Sequence, residues 1–480
     1  MFYYLTQVVH RIGSGTFVHS QFPMAVIIPF VCWLFLNVVL KRIWPTIALR
    51  QGELLTILAM MWVVGTIPQN GWINFWAPIL TAPTYFASAE NQWADTFFDF
   101  IPWSVFPPTD TFLIHGFWFG LPEGAAVPWD GWVGVVFQWL GVSMAMLAFG
   151  FCVIVLFQKQ WEEQEKLTFP LAQMPLDLIR GFDGPRRMPE LFRSRLFWIG
   201  ALVAFGPILY NITTYFVPGM TPLKFLTVYR YLNPEIPYIG HLKIRYMPIV
   251  MAVTYLCPLD ILGSLVFFRI MEMFKGGVMN RVGFSVGGPG QQITGEQIIF
   301  LENYGALMFI AVWAIWVARK HLRQLWHQAR TGEGDPHEVR RYRLAWAGLI
   351  LSAIYVLSWA MSLGINLLLA AGVFVLMVLT LLATAKLIAA TGFAYLLPYR
   401  PHLKGDSFVE EIIGTIKIPS RDLTAMKIFT SKAFFGTFLI PAWPAIPHIF
   451  RMFSLRRQPG WVTAAVFVAF PVGFLVQRRP

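Results

Sequence analysis

An ionisable side chain at the centre of a membrane helix costs about 2.5–3.5 kcal/mol, so each one in an apolar run needs a reason. The apolar segment 247–274 carries three of them, Asp260, Arg269 and Glu272. Arg269 and Glu272 lie three residues apart, the spacing at which opposite charges meet on one helix face. Asp260 follows Pro258 in TYLCPLDILGS, where proline removes a backbone donor and interrupts the helix. Unwound carbonyls beside that carboxylate suit a coupling cation. The competing reading is an internal ion pair plus an aspartate at a helix start. Glu302, Asn303 and Tyr304 open the run 298–318, just after Gln291, Gln292 and Glu296; they suit either capping or solute binding. In the transport reading Asp260 is the coupling carboxylate, Arg269–Glu272 a switchable pair and Glu302 a second proton site. Glu90, Asn91 and Trp93 then stand at the exterior approach.

Other chemistries find less support. Lys386 ends an apolar run and reads as a snorkelling cation. His448, in IPAWPAIPHIF, reads as a packing residue with a proton or substrate role as the alternative. Most of the nine histidines fall in loops or interfaces, which does not suit haem ligation. Cys32, Cys152 and Cys257 show no metal or redox spacing, and no HExxH occurs. GFSVG around Ser285 matches GxSxG but lacks the strand and helix a nucleophile elbow needs. The run VGGPGQQITGE lacks the lysine of a phosphate loop and reads as a turn. WEEQEKL, at 161–167, reads as a solvated face. No catalytic residue, metal site or cofactor is expected, and no enzyme.

The elements that position these residues follow from composition. The 480 residues are 56% hydrophobic and 13% charged, against about 25% charged in soluble domains. That excludes a soluble enzyme, a disordered chain and a disulfide scaffold. About 20 apolar residues cross a bilayer as a helix. By that ruler 22–40, 132–157, 196–217, 298–318, 344–361 and 364–385 are spans, with shorter candidates at 54–68, 247–274, 434–450 and 461–476. The expectation is an all-α polytopic transmembrane helical bundle of about ten spans, a single domain over 1–480, with at least one broken or re-entrant helix at 247–274. Trp33, Trp44, Trp132, Trp161 and Trp461 stand at span ends, where interfacial aromatics collect. The first span, rather than a cleaved leader, reads as the targeting signal.

Net charge is +12, which in a membrane chain fits basic loops at the cytoplasmic leaflet rather than nucleic acid. Segments 158–195 and 319–343 are rich in Lys and Arg and read as basic cytoplasmic loops. Residues 51–131 contain neither, so 70–131, dense in aromatics and prolines, reads as an exterior cap. Alternating these sides along the chain leaves one crossing too many between 196 and 343; either a non-crossing 247–274 or an additional crossing within 218–245 resolves it.

Two stretches carry a likeness. IPQNGWINFWAPILTAPTYFASAENQWADTFFDFIPWSVFPPTD (67–110) and KQWEEQEKLTFPLAQMPLDLI (159–179) resemble an uncharacterised bacterial membrane family related to the oligopeptide transporter superfamily, in which a helix start reads roughly KLxFP. The likeness extends over 16–179 and fades to TYLCPLDILGS and PAIPHIF. It implies proton-coupled uptake of peptides or metal chelates through a pseudo-symmetric bundle in a bacterial cytoplasmic (inner) membrane. The superfamily has more helices than this chain supports. A transporter fold recruited as a non-transporting subunit of a larger membrane complex therefore competes, and an enzyme acting on lipid-linked substrates is a minor third reading. Partners expected are the bilayer, a small solute, protons and either a second copy or other membrane subunits. A gated aqueous cavity favours transport, an aromatic-filled bundle the scaffold, and a lateral groove open to lipid the enzyme.

Overall fold

The computed structural model describes residues 24–65, 67, 73–182, 189–223, 230–232, 242–244, 259–393, 405–431, 442–454 and 461–476. In chain order the helices are α1 (Met24–Ile43), α2 (Gln51–Val64), α3 (Ile73–Phe86), α4 (Trp93–Phe97), α5 (Thr111–Phe119), α6 (Trp129–Lys159), α7 (Pro170–Ile179), α8 (Arg195–Thr213), α9 (Leu259–Val282), α10 (Gly295–Thr331), α11 (Pro336–Ser362), α12 (Leu367–Thr391), α13 (Asp406–Ile413), α14 (Ser420–Phe429), α15 (Ala445–Ser454) and α16 (Trp461–Val476). Two short antiparallel pairs are the strands among the described residues, Arg230–Leu232 with Leu242–Ile244 and Ser285–Val286 with Ile293–Thr294. The fold is a helical bundle.

Among the described residues, five helices are long and apolar enough to span a membrane: Trp129–Gln164, Arg195–Thr213, Gln297–Thr331, Pro336–Ser362 and Leu367–Thr391. Gln51–Val64 and Thr463–Gly473 are shorter apolar helices. Of the 434–450 run, 434–441 lies outside the described residues, and its described part enters the ten-residue α15. Of the 247–274 run, 247–258 with Pro258 lies outside the described residues, as does Cys257. From Leu259 the chain is one unbroken 24-residue helix.

Residues 319–343 are not a loop. α10 continues as helix to Thr331 and α11 begins at Pro336, so the turn is only 332–335. Ala318, His321, Leu325 and Ala329 recur at helical spacing and are buried. They keep the helix packed on α11, where Trp326 meets Trp346 at 5.2 Å and Arg343 Nε donates to the Ala329 carbonyl at 2.6 Å. The basic residues decorate the outer face of a helical hairpin. Segment 158–195 likewise contains α7.

The core forms where α6 and α11 pack side by side, α12 lies against α10, and α16 covers α2. Trp62, Trp139, Trp161 and Trp443 are fully buried within it. At the entry, Asn37 closes the α1–α2 turn by donating to the Leu49 carbonyl (3.0 Å) and accepting from the Leu49 amide (2.8 Å). The described part of the cap holds α3, which contains Pro78 and Pro83 and so lacks two backbone donors. It closes on α5 through rings, Tyr85 stacking on Trp118 at 4.8 Å.

Candidate functional site

Four of the residues singled out in the sequence converge where α9 meets α10. Arg269 pairs with Glu272 at 3.0 Å, Asn303 Nδ2 donates to Glu272 Oε1 at 3.3 Å, and Lys275 pairs with Glu302. Two cations and two carboxylates neutralise one another, and the side chains are 28–54% exposed. This is a ladder stapling two helices. Lys275 escaped the sequence reading because its partner is 27 residues away. Asp260 is apart from the ladder, exposed in the first turn of α9, where a carboxylate complements the helix dipole. Asn91 is a turn residue: its side chain accepts from the Ser88 and Trp93 amides and donates to the Phe86 carbonyl. Glu90 is exposed, and Trp93 rests on Phe97 at 5.7 Å.

A deeper polar centre forms at the end of α6, where the helix widens into a π turn at Gln160–Gln164, a feature frequent at functional sites. WEEQEKL is therefore not a solvated face. Trp161 is fully buried rather than interfacial, and Glu162 and Glu165 keep only 12% and 17% of their side chains exposed. Widening the helix turns these carboxylates inward, toward cations from distant segments. Glu165 pairs with Lys386 of α12 at 2.7 Å and Glu162 with Arg451 of α15 at 3.5 Å. Lys386 thus does not reach for the interface; it is only 16% exposed.

The KLTFP stretch then docks on the end of α12. Lys166 and Phe169 adopt left-handed backbone angles (φ 52° and 47°), a strained choice for residues with side chains. That turn lets the Phe169 amide donate to the Ala389 carbonyl (2.9 Å) and Thr168 Oγ1 to the Ala390 carbonyl (2.8 Å). Pro170 starts α7, where its missing donor costs nothing. Gly392 faces it with φ 67°, and a Cβ there would lie 2.5 Å from Pro170 Cβ. His448 is fully buried between Trp62 (5.9 Å) and Phe169 (5.8 Å). Burial pushes its imidazole down to about 3, opposed only by the Phe169 backbone, so the ring is neutral at physiological pH.

A second buried centre lies on α13, which sequence reasoning missed. Asp406, Glu410 and Glu411 are at most 5% exposed, whereas Ile412 and Ile413 face outward. α13 is inside-out relative to a helix on a soluble core, where the acids would face water. Lys427 of α14 bridges Asp406 (3.0 Å) and Glu410 (2.7 Å). Burial raises both glutamates above the usual carboxylate range; Lys427 opposes this at Glu410. Glu411 rises to about 7, burial acting first and the charges of Glu410 and Asp406 after it. The Lys427 amine is held above its ordinary value by these acids, against its own desolvation.

The neighbours tie this centre to the rest. Tyr304 of α10 is buried against Phe408 (5.2 Å), accepts from Thr380 Oγ1 (3.4 Å) and donates to the Leu376 carbonyl (3.4 Å). The glycine-rich run closes the other side, the Gly288 amide donating to the Glu411 carbonyl at 2.8 Å. The acids at i and i+4 followed by a lysine were the available signal; without knowledge of burial they read as surface charge.

Among the described residues no three His, Cys, Asp or Glu side chains are placed to hold a metal ion. One family model matches the sequence over residues 1–478. The chain belongs to DUF6785, a family of unknown function. No curated protein and no solved structure matches it.

Proposed function

We propose that the chain is a proton-coupled secondary transporter of small polar organic solutes, peptides or metal chelates being the class the sequence likeness suggests. The observation that carries this is the inward acid face of α13. Ionisable groups turned into the interior of a membrane protein mark ion pathways and proton relays, and α13 turns three carboxyls inward around the single amine of Lys427. Glu411 is the coupling carboxyl and Glu410–Lys427–Asp406 the triad that rearranges when it is charged. This moves the coupling role from Asp260 and Glu302, which are exposed. Half-length helices α13, α14 and α15 packed beside full spans suit the discontinuous segments that build transporter sites.

The test is reconstitution of the purified chain in vesicles holding a pH dye, challenged with a di- and tripeptide library and with metal chelates. Wild type acidifies the lumen on addition of a transported solute, and Glu411→Gln does not. Absence of solute-driven proton entry for every member would overturn the reading.

A second reading, a non-transporting subunit of a membrane complex, is favoured by a different observation. The cap exposes Phe86, Phe112, Phe119 and Trp129, and exposed apolar patches mark interaction surfaces. Native mass spectrometry of the particle from its own membrane separates the two: other chains in fixed ratio support the subunit.

A further inference from the structure

Helices α6, α11, α15 and α16 enclose a groove of about 640 Å³, within the range of small-molecule sites. Its walls are apolar over most of their length, with Phe151, Val155, Leu344, Phe453 and Phe467 facing the space. One end is different: His337, Arg340 and Arg341 from the first turns of α11 meet Gln158 from the last turn of α6. Both are ends of membrane-length helices, so the cations stand at the level where hydrocarbon gives way to headgroups. From Gln158 the α6 wall descends to Ala148, about 15 Å along the axis at 1.5 Å per residue. The groove is therefore graded, cationic at the interface and apolar toward the bilayer interior.

The charge at that end is not neutralised from within. Arg341 donates to Gln158 Oε1 at 2.7 Å and lies over the Phe450 ring; neither group is anionic. Among the described residues neither Arg340 nor Arg341 forms an ion pair. Of the nearby acids, Glu338 pairs with Lys159, and Glu162 pairs with Arg451 while accepting from Gln158 (3.0 Å) and Ser454 (3.3 Å) at the groove's edge; neither pairs with Arg340 or Arg341. No carboxylate lines the groove.

We propose that this groove is a binding site for an anionic phospholipid, its phosphate held by Arg340 and Arg341 and an acyl chain laid along the apolar wall. Guanidinium groups recognise phosphate oxygens with paired donors, and basic pockets between membrane helices take anionic headgroups. A zwitterionic lipid would leave one guanidinium opposite its own ammonium.

The experiment uses the full chain, purified in detergent and stripped of lipid, and native mass spectrometry with added phosphatidylglycerol, phosphatidylcholine or soluble glycerol phosphate. The expected result is one phosphatidylglycerol per chain, retained about tenfold or more over phosphatidylcholine. R340Q/R341Q brings the two lipids level. Ala148→Phe, which fills the apolar wall without altering charge, weakens phosphatidylglycerol as well. Equal retention of both lipids by wild type would overturn the proposal. So would unchanged selectivity in R340Q/R341Q, or displacement of the lipid by glycerol phosphate at similar concentration, which would make the site one for free phosphate. If the double variant fails to fold, Arg340→Gln alone, at an exposed position, carries the same test.

Discussion

Gly150→Ala and Gly134→Ala, the same change twice on α6, should have opposite effects. A Cβ at Gly150 would lie 2.2 Å from Trp443 Nε1 and 2.4 Å from Cε2, inside any real contact. The indole has no room to move: it is fully buried, donates to the Met146 carbonyl at 3.1 Å and stacks on Phe149 at 5.7 Å. Alanine gains about 1 kcal/mol over glycine in a helix. Against that, forcing a methyl into a packed core costs about 1–3 kcal/mol, and a displaced indole N–H stranded in the core costs about 1–3 kcal/mol more. The net is a destabilisation of about 1–5 kcal/mol. At Gly134 nothing lies within 4 Å of the added Cβ, so only the helix gain of up to about 1 kcal/mol remains. Helicity followed by circular dichroism on heating, in one detergent and at one scan rate, reads both variants. Gly150→Ala combined with Trp443→Phe should lose less than the two single changes together, because they share one contact. A Gly150→Ala protein as stable as wild type, or a Gly134→Ala protein equally damaged, would refute the packing of α15's approach against α6.

The other expectations concern the buried charges. Lys386→Met leaves the Glu165 carboxylate buried and uncompensated and should cost about 3–5 kcal/mol, whereas Glu165→Gln with Lys386→Met should recover most of it; melting of the two variants against wild type decides. Glu411 holds its proton more tightly in the folded state, about 7 against 4.5. Its contribution to stability is therefore full below about pH 4.5 and is lost as pH rises through 7; Glu411→Gln should flatten the melting profile across that window. His448, buried without charge, should show a neutral imidazole by NMR of histidine-labelled protein at pH 5, and a titration near 6.5 would contradict its placement between Trp62 and Phe169.

Helix positions were legible because their signal is local. The runs beginning near Leu196 and Leu344 became α8 and α11, and 461–476 became α16 within its own limits. Arg269–Glu272 was legible for the same reason, since three residues of helix fix the pair whatever surrounds it. Where helices stop was harder to read. Lys and Arg between 319 and 343 look like a loop in a charge count, yet a buried stripe at Ala318, Leu325 and Ala329 carries the helix through them.

Sequence by itself determined that this chain is apolar enough for a membrane, that it is helical, and roughly where its membrane-length helices lie, because hydropathy and helical period are properties of neighbouring residues. Tertiary structure alone decided which charges are inside. Glu165 meets Lys386 and Glu162 meets Arg451 across more than 200 residues, and α13 turns its acids inward toward Lys427 and leaves its isoleucines outside. A carboxylate's proton affinity depends on what lies within a few ångströms of it, and in a bundle those neighbours come from other helices.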